Sequence, residues 1–499
     1  MFNLSSDFQG RPKNKQKERR WRPFHAKDFQ SLMCPCFMFL RILGIFPYKI
    51  NASTFEASKP YYILSAVVTC VCGIYALITL LNFSLLGRII VFAISENLAI
   101  GCVFVFGSFI MIVTFILSGP RMRLLQTILK ISSRLPSESY QKLSKLIHAK
   151  DIIGFLYQVM AIILICASTL NINLLFKLYI YLVVFQMDML YMNCVCILKI
   201  CFKKINDDLM HMRELMTYDN PHSSRSIYHE QRNPFLIMEL KAMKKEHLTI
   251  SDTVQMLNKI FSLQLLATVA MTFSDITINL FYYIVTIQDN MIVLSRDNFL
   301  IYSVYFFLYM TYLFKGIVLI VWACETGNEQ ALQISTSIHD VFNNTTDKQI
   351  KNELQIFSLQ TLHCDNTFSA KGFTVNAKLL VVIVGTIATY ALILYQFLHL
   401  PNSCERETTN WKLLDVILTS MAFYSMRIML LVWACETGKN QANEIGTTIH
   451  DVLNSTRDEQ IKDELRLFSL QIMHCKNTFL TKGLTMDATL LTAVSNQLF

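Results

Sequence analysis

The chain has 499 residues, of which 53% are hydrophobic and 16% charged, with a formal net charge of +9. Soluble domains run nearer to about a quarter charged, so this composition excludes an ordinary soluble enzyme or binding domain and points to a membrane protein. The basic balance beside so many apolar stretches reads as retention of positive segments on the cytoplasmic face, with membrane lipid rather than nucleic acid as the partner.

Residues 1–30, with RPKNKQKERRWRP, are polar and basic and lack the apolar core of a cleaved secretory signal. Residues 31–50 are apolar but broken by Pro35 and Pro47 and interrupted by Arg41, which fits an interfacial or docked cytoplasmic segment better than a span. Apolar stretches long enough for a bilayer core of about 30 Å follow at 61–83, 90–118, 152–173, 176–201, 260–287, 299–323, 378–400 and 412–434. Cationic residues collect before the first stretch and in 119–151 and 203–258, whereas 84–96 and 288–298 carry only Arg88 and Arg296. By the positive-inside rule the N-terminus is cytoplasmic. The expected fold is all-α: a polytopic membrane protein of seven transmembrane helices, plus an eighth hydrophobic segment. The expected organisation is a cytoplasmic segment at 1–60, a seven-helix unit at 61–400 and a C-terminal part at 401–499.

The connections expected on the inner side are long. From Lys241 the residues Ile250, Val254, Leu257, Phe261 and Leu265 keep the spacing of a helical stripe, so an inner helix at about 241–260 runs on into the fifth span. Ile350, Leu354 and Phe357 form a second such stripe within the inner segment 324–377. Each needs a partner surface, either a neighbouring inner loop or another subunit.

Polar side chains within a bilayer are costly, and each is a site candidate. The outer halves of the spans hold Glu96 on the second, Tyr179, Gln186 and, nearer the middle, Asp188 on the fourth, Asp275, Asn279 and Tyr283 on the fifth, and Tyr305 and Tyr309 on the sixth. Together they suit a polyhydroxylated ligand held by hydrogen bonds and ring stacking; singly, each also suits an interhelical hydrogen bond. In the segment 378–400, Thr389, Ile393 and Gln396 share a helical face, and an amide at Gln396 must face protein or water. A ring of glutamines beside Phe397 in an oligomer would form a narrow, uncharged constriction for cations, while in a monomer Gln396 would bond a neighbouring helix.

No catalytic or cofactor pattern is present: neither a Gly-rich phosphate loop nor a Ser nucleophile elbow can be read. The adjacent pairs His339-Asp340, His363-Cys364, His450-Asp451 and His474-Cys475 point to different helix faces and read as packing or capping, not metal ligands.

Residues 317–380 recur at 428–491 with about 40 of 64 positions identical. Both copies carry WACETG, FSLQ and NTF followed by Lys-Gly, but only the first continues into TYALILYQF; the second ends in TAVSNQLF.

TYALILYQF at 389–397 is Thr-Tyr, five mostly hydrophobic residues, then Gln-Phe, which resembles the C-terminal signature of the insect gustatory receptor family. GIFPY at 44–48, ELQIFSLQTLH at 353–363 and NTFSAKGFTVNAKLL at 366–380 support the resemblance, which is nearest to the fructose and nutrient receptor branch and its broadly expressed relatives. The resemblance implies a tetrameric, ligand-gated, nonselective cation channel in the plasma membrane of chemosensory neurons, built from homo- or heteromeric subunits. Its ligand would be a small tastant, with a sugar favoured, held in the outer half of helices two to six. Gln396 and Phe397 would belong to the gate, Thr389 and Tyr390 would pack the pore helix, and inner helix extensions would join the subunits. A G-protein-coupled receptor is the alternative with seven helices, and it requires an outside N-terminus. Family members normally stop soon after Gln-Phe, so residues 401–499 are either an extension with a second inner helix or the product of a gene fusion.

Overall fold

The structure is a computed structural model. It describes residues 23–51, 54–85, 91–168, 172–217, 226–290, 296–370 and 373–398, and in the C-terminal part 438, 441, 444–456, 458–474, 480–481 and 484–485. The expected eighth apolar segment at 412–434 lies outside the described residues.

One long helix organises the bundle. α6 (Ile172–Thr217) is Leu-, Ile-, Val- and Cys-rich, and its side chains from Ile180 to Leu198 are all buried. Around it run α2 (Lys59–Leu85), α3 (Val91–Ile116), α4 (Ser118–Ser132), α5 (Ser137–Ser168), α7 (Ser226–Asn290) and α8 (Arg296–Asn344). α6, α7 and α8, with 46, 65 and 49 residues, are at least twice the roughly 20 residues that cross a bilayer, so each extends well beyond the apolar layer. The stripe from Ile250 to Leu265 is therefore part of the same helix as the span it enters. α2, α6, α7 and α8 are long and apolar enough to cross a membrane, and α3 with α4 qualifies as a pair bent by 67°.

Close helix approach depends on missing side chains. A Cβ on Gly107 of α3 would lie 2.2 Å from the Ile180 side chain, and one on Gly154 of α5 would lie 2.2 Å from the Phe185 ring. Both glycines let a neighbouring helix reach α6, the small-residue contact on which packing in lipid relies.

The segment 31–50 docks rather than spans. α1 (Phe29–Ile42) starts at a capping box, in which Asp28 accepts from the Ser31 amide at 2.9 Å and the Ser31 hydroxyl accepts from the Asp28 amide at 3.2 Å. It ends at Gly44, whose φ of 72° suits glycine. There the Ile45 amide reaches back to the Leu40 carbonyl and the Gly44 amide to that of Arg41, closing a Schellman turn. Phe29, Leu32, Met33, Cys36 and Leu40 are buried, and the Tyr179 hydroxyl donates to the Leu43 carbonyl at 2.8 Å.

The all-α expectation needs one amendment, since among the described residues three short antiparallel hairpins interrupt the helices. β1 (Tyr48–Asn51) pairs with β2 (Thr54–Ala57), β3 (Ser369–Ala370) with β4 (Phe373–Thr374), and β5 (Leu480–Thr481) with β6 (Leu484–Thr485). The last two lie at equivalent positions of the sequence repeat, around its Lys-Gly. α9 (Lys348–His363) and α10 (Ala377–Leu398) flank β3 and β4. In the second copy α11 (444–455) and α12 (Glu459–His474) precede β5.

Gly107→Val is expected to lower stability by about 1–3 kcal/mol through overpacking against Ile180. Gly73→Val, at a site with nothing within 4 Å, should be near neutral. Thermal unfolding of the purified chain in detergent checks both.

Candidate functional site

Two polar clusters sit between α6, α7 and α8. In the first, the Asp275 carboxyl is fully buried and accepts from the Tyr181 hydroxyl, from the Tyr309 hydroxyl at 2.6 Å and from the Asn279 amide at 2.8 Å. The Tyr181 and Tyr309 hydroxyls are also 3.1 Å apart. Three helices contribute because one carboxyl in an apolar bundle needs donors from every side. Asn279 is placed by helix periodicity, four residues after Asp275 on the same face.

In the second cluster Asp188 accepts from Gln264 at 3.3 Å and from Thr268 at 3.2 Å. Asp188 follows Tyr181 by seven residues on α6, and Asp275 follows Thr268 by seven on the antiparallel α7. At 1.5 Å per residue the clusters are stacked about 10 Å apart along the bundle. Tyr157 and Tyr312 stack with ring centroids 5.7 Å apart, and Tyr283 stacks on Phe306 at 4.0 Å and donates to Ser303 at 3.2 Å. Gln186 and Gln158 are buried, and neither amide group has a hydrogen-bond partner among the described residues. An orphaned buried amide calls for a water or a ligand.

Of the sequence candidates, Asp275, Asn279 and Tyr309 come together, Asp188 forms the lower cluster, and Gln186 and Tyr283 lie apart from both. Tyr179 turns instead to the α1 turn. Glu96 and Tyr305 are on α3 and α8, but their side chains lie outside the described residues. Sequence reasoning missed Tyr181, Gln264 and Thr268. Tyr181, on the same span as Asp188 and Gln186, was open to the same test of polar groups in apolar runs.

α10 lies against α7 and α8 through Ile383, Ile387 and Ala391, spaced by four and all buried. Tyr390 meets Phe273 of α7 edge to face at 5.9 Å, two residues before Asp275. The opposite face is bare in the single chain: Val381, Gly385, Ala388, Leu392 and Gln396 follow helical spacing and are exposed. Thr389 and Ile393 are half-buried at its margin, with the Thr389 hydroxyl donating to the Gly385 carbonyl at 2.9 Å. The face expected for Thr389, Ile393 and Gln396 is thus turned slightly, because Ile387 and Ala391 set the packed side. The Phe397 side chain lies outside the described residues.

The repeated motifs build the joint below α10. Glu325 of WACETG accepts from the Ala377 amide at 3.1 Å, a carboxylate at a helix N-terminus, and Asn328 accepts from the Phe368 amide at 3.0 Å. Phe368 of NTF is fully buried against Gly327, where a Cβ would come within 2.6 Å of its ring. Asn258 of α7 donates to the Thr367 carbonyl at 2.7 Å and accepts from the Ser369 amide at 3.2 Å. α9 is tied to α7 by Lys244 and Glu353 at 2.9 Å, with Lys241 at 3.4 Å, and by Gln360 donating to the Lys244 carbonyl at 2.9 Å. Burial alone would raise the Glu353 carboxyl, but Lys244 and Lys241 outweigh it and hold it below the ordinary value. Its contribution is therefore present at neutral pH and lost as pH falls through the folded value.

The profile of a family described as "7tm Chemosensory receptor" matches residues 33–398 and 400–494. Gustatory receptor 28b of Drosophila melanogaster is 27% identical over 158 residues, which is 32% of this chain and 33% of that one. Gustatory receptor 28a of the same organism is 27% identical over 180 residues, 34% of this chain and 39% of that one. The aligned segments thus span a third to two-fifths of these relatives' length. The fold is similar to that of the insect olfactory receptor OR5 from Machilis hrabei, with a TM-score of 0.54 at 13% identity, over 74% of this chain and 98% of that one. The same receptor in complex with eugenol gives 0.51 at 14% identity, with the same coverage.

Tyr309→Phe removes one of the three side-chain donors on Asp275 and should lower stability by about 1–3 kcal/mol. Asp275→Ala, which takes the shared acceptor from all three donors at once, should cost more. Thermal melts of the detergent-purified variants give the ranking.

Proposed function

The chain belongs to the insect gustatory receptor family of 7tm chemosensory receptors, and from that premise we propose that it is a ligand-gated, nonselective cation channel for a small tastant. Members of this family are receptors and channels, not enzymes. The polypeptide crosses the plasma membrane of a chemosensory neuron seven times within residues 61–400, with its N-terminus in the cytoplasm, and assembles as a homo- or heterotetramer. α10 lines the pore.

The observation that carries this reading is the two-sided character of α10. One face is sealed on α7 and α8, while the other is bare in the single chain and ends at Gln396, whose amide needs water or protein. Four such faces around an axis form an uncharged constriction at Gln396, with Phe397 beside it. The ligand binds at the clusters around Asp275 and Asp188. A sugar suits their carboxyls, amides and tyrosines, because hydroxyls exchange one for one with the hydrogen bonds already there. A ligand that favours one arrangement of these donors biases α7 and so the Phe273 to Tyr390 contact, which is the differential interaction gating requires. In this account residues 1–400 are the working channel.

Expression in oocytes with a panel of sugars and bitter compounds under voltage clamp tests the proposal. A ligand-dependent cation current is expected, and its absence from both the full chain and residues 1–400 would sink the reading. Gln396→Arg should abolish the current while surface labelling stays unchanged, because converging guanidinium groups repel cations. An epitope tag at residue 1 should stain only after permeabilisation; staining of intact cells would favour a G-protein-coupled receptor.

A further inference from the structure

The second copy of the repeat packs on the first. His450 of α11 is 1% exposed with its ring 5.2 Å from that of His363 on α9, and Asn454 donates to the Gln360 side chain at 3.2 Å. Ser469 of α12 bonds the other side of His363 at 2.9 Å. Thr447, one turn before His450, is also buried. The α9 face at Gln360 and His363 is therefore covered by a stripe of Thr447, His450 and Asn454.

The same stripe exists in the first copy. Thr336, His339 and Asn343 on α8 are the identical residues at the equivalent positions, and all three are exposed. The chain thus carries one face of α9 and two chemically matching stripes, of which one is seated and one is bare. The seated stripe fits imperfectly: both His450 ring nitrogens are buried without a hydrogen-bond partner among the described residues, and the like charges Asp451 and Asp252 interact across the contact. Such a contact is exchangeable, since the polar cost of leaving His450 unpaired is recovered on release.

We propose that the C-terminal repeat is an intramolecular cap on α9, and that it competes there with the Thr336, His339 and Asn343 stripe of a second copy of this chain. The contact in trans is heterologous, one patch on a different patch, which is the kind that closes a ring of subunits. Tethering gives the cap a high effective concentration, so the repeat sets how readily α9 accepts a neighbour. The cap in cis is independent of the ligand and pore reading; the contact in trans rests on the assembly proposed above.

Photocrosslinking in the full chain separates the two. p-Benzoylphenylalanine replacing Asp451 should give intramolecular adducts to peptides of α9 near Gln360 or of α7 near Asp252. The same residue replacing the equivalent, exposed Asp340 should give intermolecular dimers that contain those peptides. Adding His450→Asp, or independently Thr447→Lys, each of which puts an unpaired charge into the buried contact, should raise the yield of those dimers about fivefold or more. Adducts from position 451 that miss α7 and α9, or dimers from position 340 that are absent or equally abundant with and without both undocking substitutions, would overturn the proposal. Currents from the same variants report separately on the channel reading, and melting curves confirm that each is folded.

Discussion

A carboxyl buried in an apolar bundle must be surrounded by donors, and at Asp275 that requirement governs how three helices meet. Tyr181 brings α6, Tyr309 brings α8 and Asn279 closes the set from α7 itself. Lipid supplies no competing partner, so loss of this geometry leaves polar groups that nothing else satisfies. The apolar contacts of α6 set how close the helices come, through Gly107 and Gly154, while the carboxyl sets their register.

Two polar regions therefore lie along α7. In the bundle it carries Asp275, Thr268 and Gln264; towards its start it carries Asn258 and Lys244, which hold the hairpin and α9. Within the first of these, Phe273 touches Tyr390 of α10. α10 is thus held at its start by Glu325 and along its length by α7, the same helix that carries Asp275.

Apolar run length made most helices legible, because a stretch such as 176–201 has few alternatives in a bilayer. Asp275, Asn279 and Tyr309 were legible for the opposite reason: each stands out where polar groups are expensive. Tyr181 was not, since a tyrosine in an apolar run looks like any aromatic until its hydroxyl has a partner. The Tyr179 hydroxyl has its partner in the Leu43 carbonyl, 136 residues away, which no local spacing reveals. Glu325 was visible as part of a motif but not as a helix cap, because the amide it accepts from lies 52 residues away. Two-residue strands carry no periodicity, so the hairpins around Lys-Gly left only the repeat itself as a trace. That repeat announced a second inner block but gave no sign that its His450 would meet His363 of the first.

The central claim of the proposed function is that the Asp275 cluster and α10 are coupled through α7. A double-mutant cycle on ligand-gated currents tests it most directly, with Tyr309→Phe at the cluster and Phe273→Leu at the pore contact, measured singly and together over a ligand concentration series. The account predicts that the two effects on half-maximal activation fail to add by more than about 0.5 kcal/mol, the margin that separates coupled from independent sites. Simple additivity within that margin, with both single variants showing clear effects, would contradict it.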